Sequence, residues 1–587
     1  MTHSTMSSRV WLPVLLVSSL LTPHSSLLWS AETAGVYVDG SGARHPWRID
    51  SNDMLHWRGQ PFVPVGGMFC FRYLSEFEER DVPGNEARWK GDLEILDRVE
   101  RAGIRHLYVN PVNPATRFGA SVWNHCLEEL ERRRFEYGIE LTDGPERGMD
   151  GYLLGGVGWG WSVARAGGST AASVRLTWEM EFGQLPRAIE LLAVTPDGRA
   201  GRISLPSTRA ATLVAGLPAW AAHPQTRFIP RVEAPKGFNV PDLWGGYGEY
   251  ERRLLRLLSG LKLGPGLRFI LDPFTNEMNY HGLTAHMLPA ASEFREELEK
   301  WLRAKYKGRR LTAWRAWGGR GRAPEWAVMA RLLPVPARPQ FVDPETALVL
   351  PADCAKSGAL EDLRMFRDAS VGRFVSRLSE RLRRDVADVP IVLKHTGRFA
   401  RYMVCSTVDG IGIEAWGHDK AALARTAGPP FALLRHRERL APRGSGAARP
   451  TGWLPVTETA PDPSPHGLPP GYPSREAMFS HLDALLGLGA RGFYLFALRP
   501  LPEELLPDFC LYQDPRQLAW IAEYQRGLGR APRAALLSTR PPFRFRDAQA
   551  GPGLRVSGWK TGRSPALAPV ELQGALMVLP RYRLSDR

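Results

Sequence analysis

Apolar positions in this chain gather into short unbroken runs of strand length, separated by longer stretches in which apolar residues recur at helical spacing. Residues 61–71 (PFVPVGGMFCF) and 104–112 (IRHLYVNPV) are two such runs. Between them, Leu93, Leu96 and Val99 mark one face of a helix over 89–102, with Gly103 where a C-terminal cap belongs. Strand, helix, strand at this spacing is a βαβ unit. A charged helix over 122–135 leads to a third run, 137–144 (YGIELTDG), after which the alternation stops. Residues 145–240 carry Gly-rich turns, partly alternating segments and a Pro196-Asp197-Gly198 turn, the marks of hairpins.

The βα pattern then resumes. Helical periodicity over 250–261 leads into 267–271 (LRFIL), and helices over 292–306 and 362–386 precede 389–396 (VPIVLKHT). Runs 408–417 (VDGIGIEAWG), 452–461 (GWLPVTETAP) and 492–498 (GFYLFAL), with a helix over 476–488, bring the strands to eight. Unbroken apolar strands are those of a parallel sheet covered on both faces. The expected fold class is therefore α/β: a (β/α)8 TIM barrel over 32–144 and 241–510, a small β-rich domain inserted over 145–240 after strand three, and a short C-terminal α/β or β tail over 511–587. The Pro- and Arg-rich connection 318–351 reads as irregular surface.

Composition changes this picture little. The 587 residues suffice for two or three domains, and the net charge of +15 comes mainly from scattered Arg. No basic run interleaved with aromatics suggests a nucleic-acid surface. Arg9 before the apolar segment 10–21 has the form of a signal peptide, taken as 1–31, so the protein is expected to be secreted or periplasmic, with no stable membrane insertion once the signal is removed. Five widely spaced cysteines show no metal or redox spacing; buried thiols are the default, and one or two disulfides stay open.

Chemistry enters at the strand ends. In an α/β barrel the carboxyl ends of the strands ring the active site. Run 267–282 (LRFILDPFTNEMNYHG) ends in Asn276 and Glu277, and the seventh strand ends in Glu458. Two carboxyls on one mouth suit a retaining glycosidase, with Glu277 as acid/base, Glu458 as nucleophile and Asn276 on the sugar 2-hydroxyl. Asn110, Asp143, Glu140 and Glu414 also stand at strand ends; the acidic ones either bind sugar hydroxyls or balance Arg72 or Arg499. An insertion leaving strand three emerges on the same face and is expected to wall the site. Trp159, Trp161 and Trp178 are its candidate sugar-stacking residues, unless they form the insertion's own core. No cofactor or metal is expected, and the partner is an oligo- or polysaccharide.

The Asn276-Glu277 pair, Glu458 and PFVPVGGMF resemble clan A glycoside hydrolases, and residues 299–318 (EKWLRAKYKGRRLTAWRAWG) are similar to the segment after the acid/base in family 42 β-galactosidases and their relatives. The resemblance implies the same roles for Glu277, Asn276 and Glu458, and places His395 and Trp416 in the site. Strand eight departs from it, ending in Phe496-Ala497-Leu498-Arg499 where many members of the clan have a tryptophan. An endo-acting glycanase of the same clan and a non-catalytic carbohydrate-binding barrel are the alternatives.

Overall fold

The structure, a computed structural model, describes residues 33–74, 86–111, 115–142, 144, 150–154, 161–165, 172–178, 187–206, 208, 210–233, 244, 247–274, 287–335, 338–353, 358–395, 408–416, 423, 452–460, 471–496, 514–539, 554–556 and 570–572. Its centre is a closed barrel of eight parallel strands, in chain order Val65–Phe69, His106–Val109, Glu136–Glu140, Leu267–Leu271, Ile391–His395, Gly410–Trp416, Val456–Ala460 and Phe493–Leu495. Each falls inside or within one residue of an expected run. The helices between them, including Glu86–Arg101, Ala120–Arg132, Tyr247–Ser259, Ala359–Asp385 and Arg475–Leu488, cover the outer face. Ser474 caps the last of these by accepting from the Ala477 N–H at 3.1 Å, and Gly489 ends it in the left-handed conformation.

Aromatic rings fill the barrel interior. Phe269 meets Trp453 at 5.3 Å and Tyr494 at 5.6 Å between ring centres, and Tyr108 meets Tyr494 at 5.4 Å. The room for Phe269 comes from strand three. Residues 136, 138 and 140 share a face by the two-residue period, and a Cβ on Gly138 would stand 2.2 Å from the Phe269 ring. That row therefore has an aromatic-filled gap in the middle and a carboxylate at each end.

The amino-terminal segment forms a four-stranded antiparallel sheet, Thr33–Val38, Arg44–Ile49, Leu55–Trp57 and Gln60–Pro61. It is tied to the barrel's amino-terminal end. The Val36 N–H donates to Asp388 Oδ2 at 2.8 Å, Trp47 Nε1 to the Asp388 carbonyl at 2.6 Å, and the Tyr37 hydroxyl to the Gly264 carbonyl at 3.0 Å.

After strand three the chain builds two sheets. One has three strands, Thr212–Gly216, Ser173–Trp178 and Trp161–Arg165; the other has Ala200–Ser204, Arg187–Val194, Arg227–Glu233 and Asp150–Leu153, with Met287–Pro289 added from beyond barrel strand four. Strand Arg187–Val194 is apolar on both faces for a physical reason. Leu191 and Ala193 join Val174, Ile203 and Ala215 in a separate small core, whereas Ala188, Leu192 and Val194 face the main one. Residues 318–351 differ from the expectation of irregular surface. They include helix Trp326–Met329 and a three-stranded sheet, Leu333–Pro334, Gln340–Val342 and Val349–Pro351, packed with Phe341 against the buried Trp314 and Trp317. Strands of two or three residues rich in proline carry no period to read.

Helix Pro515–Gly527 returns the chain to the barrel, where Tyr524 meets Phe493 at 5.9 Å and Phe479 at 5.2 Å. Cys70 and Cys126 are buried, the latter a free thiol. Cys354, Cys405 and Cys510 lie outside the described residues. Among the described residues, no helix is long and apolar enough to cross a membrane.

Candidate active site

Five polar side chains meet at the carboxyl ends of the strands: Asn110 after strand two, Glu140 at the end of strand three, Lys394 on strand five, Glu414 on strand six and Glu458 on strand seven. All are buried; Glu140 is 0% and Lys394 1% exposed, so none of the five is a solvated rim residue. The Lys394 ammonium lies 3.0 Å from Glu140 Oε1 and forms an ion pair with Glu458 Oε1. The second Glu140 oxygen accepts from Asn110 Nδ2 at 2.6 Å. The Lys394 backbone N–H donates to Asp272 Oδ1 at 2.7 Å, which ties strand five to the exit of strand four.

Glu458 owes its place to an irregularity in strand seven. Ile413 pairs with Val456 and the next residue, Glu414, with Glu458, so strand seven carries one residue more than strand six. Against strand eight the count is the same: three steps, Val456 to Thr459, match two, Phe493 to Leu495. The extra residue is a bulge, a device that re-aims a side chain beside a site. Glu414 stands level with Glu458 on the adjacent strand, and its charge reaches Lys394.

The electrostatics follow from burial. Desolvation pushes the Glu458 carboxyl above the usual glutamate range, the Lys394 charge pulls it down, and the Glu140 charge pushes it up again; the net direction is upward. The Tyr108 hydroxyl lies close enough to favour the ionised form without reaching full hydrogen-bond geometry. Burial opposes the charge on Lys394, yet Glu140 and Glu458 override it and hold the ammonium well above its ordinary value. Lys394 is thus held in its charged form between Glu140 and Glu458.

Of the residues expected in the site, the structure brings together Asn110, Glu414 and Glu458. Asn276, Glu277 and Asp143 lie outside the described residues, as does Trp159. His395 and Trp416 end strands five and six, paired with Ile413 and Ala460, and their side chains lie outside the description, as do those of Trp161 and Trp178. Between strand four and Asn276 the described residues make specific contacts. Asp272 is left-handed at φ 45°, the Tyr250 hydroxyl donates to the Pro273 carbonyl, and Phe274 is fully buried against Phe374 at 4.8 Å. Thr142, after strand three, is left-handed as well at φ 42°, an uncommon state for a β-branched residue.

Lys394 was not among the residues expected in the site, and Glu140 has Lys394 and Asn110 among its partners. The available signal was a single lysine inside the apolar run VPIVLKHT. A charge in a strand buried on both faces must be paired.

A cavity of about 1030 Å³ opens at the other end of the barrel, lined by His56, Trp57, Phe62, His106, Glu136 and Arg268 among others. There Glu136 accepts from His106 Nε2 at 2.9 Å and pairs with Arg268, whose guanidinium lies 4.6 Å from the Trp57 ring. These contacts join the amino-terminal sheet to the barrel, the end of the fold where polar clusters serve stability.

No family model and no curated protein matches this chain. Among solved structures it is similar to a β-galactosidase from the psychrophilic Marinomonas ef1, at 13% identity over 81% of this chain and 62% of that one, with a TM-score of 0.42. It is also similar to an exo-β-agarase, at 11% identity over 80% and 50% with a TM-score of 0.39, and to a further agarase, at 11% over 80% and 52% with a TM-score of 0.38. The chain spans less than two thirds of the length of each.

Proposed function

We propose that this chain is a retaining β-glycosidase that hydrolyses O-glycosidic bonds by double displacement, with Glu458 as nucleophile and Glu277 as acid/base. The observation that carries the reading is Glu458 itself, a buried carboxylate on a bulge at the carboxyl end of strand seven, inside a charged cluster. In the first step a Glu458 oxygen bonds to the anomeric carbon while the bond to the leaving oxygen breaks and Glu277 gives that oxygen its proton. In the second, water deprotonated by Glu277 attacks the anomeric carbon and releases Glu458. The mechanism requires the two carboxyls roughly 5–5.5 Å apart. Asn276 serves the 2-hydroxyl, and His395, Trp416, Asn110, Asp143 and Glu414 are proposed to complete the sugar pocket.

The resemblance to family 42 supports a β-galactoside-like substrate; an endo-acting glycanase is the nearest alternative. The reading includes export directed by residues 1–31, the barrel over 32–144 and 241–510, and a β-rich insertion over 145–240 that walls the mouth. The Met287–Pro289 strand supports that last point, because it adds the chain shortly after Glu277 to the insertion's sheet. One observation favours a second reading, a non-catalytic carbohydrate-binding barrel: the ion pair with Lys394 is also what a purely structural Glu458 would make. Turnover of a panel of aryl β-glycosides by the wild type and by Glu458→Gln separates the two readings. Loss of turnover on substitution supports the glycosidase, and equal turnover by both proteins overturns it.

A further inference from the structure

A carboxylate that attacks an anomeric carbon must be ionised and aimed, and burial works against the first requirement. At the mouth, Glu140, Glu414 and Glu458 from strands three, six and seven surround one ammonium from strand five, with the Tyr108 phenol and the Asp272 carboxyl close by. Each part of this arrangement fixes Lys394. Its backbone is held by Asp272, its side chain is enclosed, and its ammonium is shared between Glu140 Oε1 and Glu458 Oε1. Glu140 is held in turn by Asn110 through its other oxygen.

We propose that Lys394 is the positioning residue of the nucleophile, its ammonium anchoring one Glu458 oxygen and keeping the carboxylate charged, with Glu140 as the second anchor. This rests on the reading of Glu458 as nucleophile. The second anchor has a use in the reaction cycle. When Glu458 becomes a neutral glycosyl ester, Lys394 keeps a carboxylate partner in Glu140, so no buried charge is stranded in the intermediate. When water releases the sugar, the ammonium is in place to receive the regenerated carboxylate.

The two anchors have opposite effects on Glu458, and these reach turnover only if Glu458 is the group that attacks. Lys394 favours the charged form, and Glu140 competes for the same cation while adding negative charge. Infrared difference spectra titrated with pH follow the Glu458 carboxyl band, assigned as the band missing in Glu458→Gln. In Lys394→Met the protonation midpoint is expected to rise by about 1–3 pH units, and in Glu140→Gln to fall by about 1 unit. Wherever an aryl β-glycoside is turned over, the acid limb of kcat/KM moves with the same signs. An unmoved midpoint in Lys394→Met, or an acid limb of kcat/KM that stays in place while the midpoint moves, overturns the inference. If Lys394→Met does not fold, as judged by circular dichroism, Glu140→Gln decides alone, and a midpoint unmoved or raised there overturns it. Full hydrolysis by Glu458→Gln would instead refute the nucleophile assignment, whatever the titration shows.

Discussion

Lys394 and Glu458 form an ion pair inside the barrel mouth with side chains only 1% and 6% exposed, and Glu140 completes the pair from the other side. A buried pair of this kind is costly to break from one side, because the remaining charge has no water to turn to. Removing the cation alone, as in Lys394→Met, is expected to lower stability by about 3–5 kcal/mol. Replacing Lys394 and Glu458 together by Met and Gln should cost clearly less than the sum of the single changes. Urea unfolding of the four proteins measures the coupling, and strict additivity would contradict the pairing.

At the opposite end of the barrel, Glu136 gives a pH prediction. Burial raises its carboxyl, but the His106 hydrogen bond and the Arg268 charge outweigh it and hold the group down at about 2. The folded value lies below the unfolded value of 4.5, so its contribution is complete above about pH 4.5 and is lost as pH falls through about 2. Its side chain is 34% exposed, so the contribution is discounted for solvent screening to on the order of 2 kcal/mol. Glu136→Gln should lose that amount at pH 7 and flatten the acid limb of a stability-versus-pH curve. An unchanged acid limb would count against the cluster.

Close packing sets a third expectation. A Cβ on Gly66 would stand 1.7 Å from the His106 carbonyl oxygen on the neighbouring strand, and backbone cannot swing aside. Gly66→Ala is expected to destabilise the barrel by at least ~3 kcal/mol, read as a fall in the urea midpoint. A midpoint within error of wild type would mean that strands one and two do not pair in this register.

The proposed acid has its own signature. Glu277→Gln should slow hydrolysis of aryl glycosides with poor leaving groups by about 10²–10⁴-fold, and affect dinitrophenyl glycosides much less in the glycosylation step, because a good leaving group needs no proton. Equal losses across leaving groups would remove Glu277 from that role.

Much of the barrel was legible because its strands are covered on both faces and so appear as unbroken apolar runs such as Leu267–Leu271 and Phe493–Leu495. Glu458 was legible because strand ends are where barrel chemistry collects. The cluster around it was not, since Lys394 and Glu140 are 254 residues apart and meet only because strands three and five flank strand four. The bulge in strand seven was also invisible, because one extra residue among VTETA changes neither composition nor period. The short strands over 333–351 and the Met287–Pro289 addition to the insertion's sheet were hidden for the same reason, being too short to show alternation.

The central claim is that Glu458 bonds covalently to the sugar. Incubation with a panel of activated 2-deoxy-2-fluoro glycosides, followed by proteolysis and peptide mass mapping, tests it most directly. The account predicts one sugar adduct per chain on Glu458, absent in Glu458→Gln; an adduct on another carboxylate, or turnover of the parent glycosides by Glu458→Gln at the wild-type rate, would contradict it.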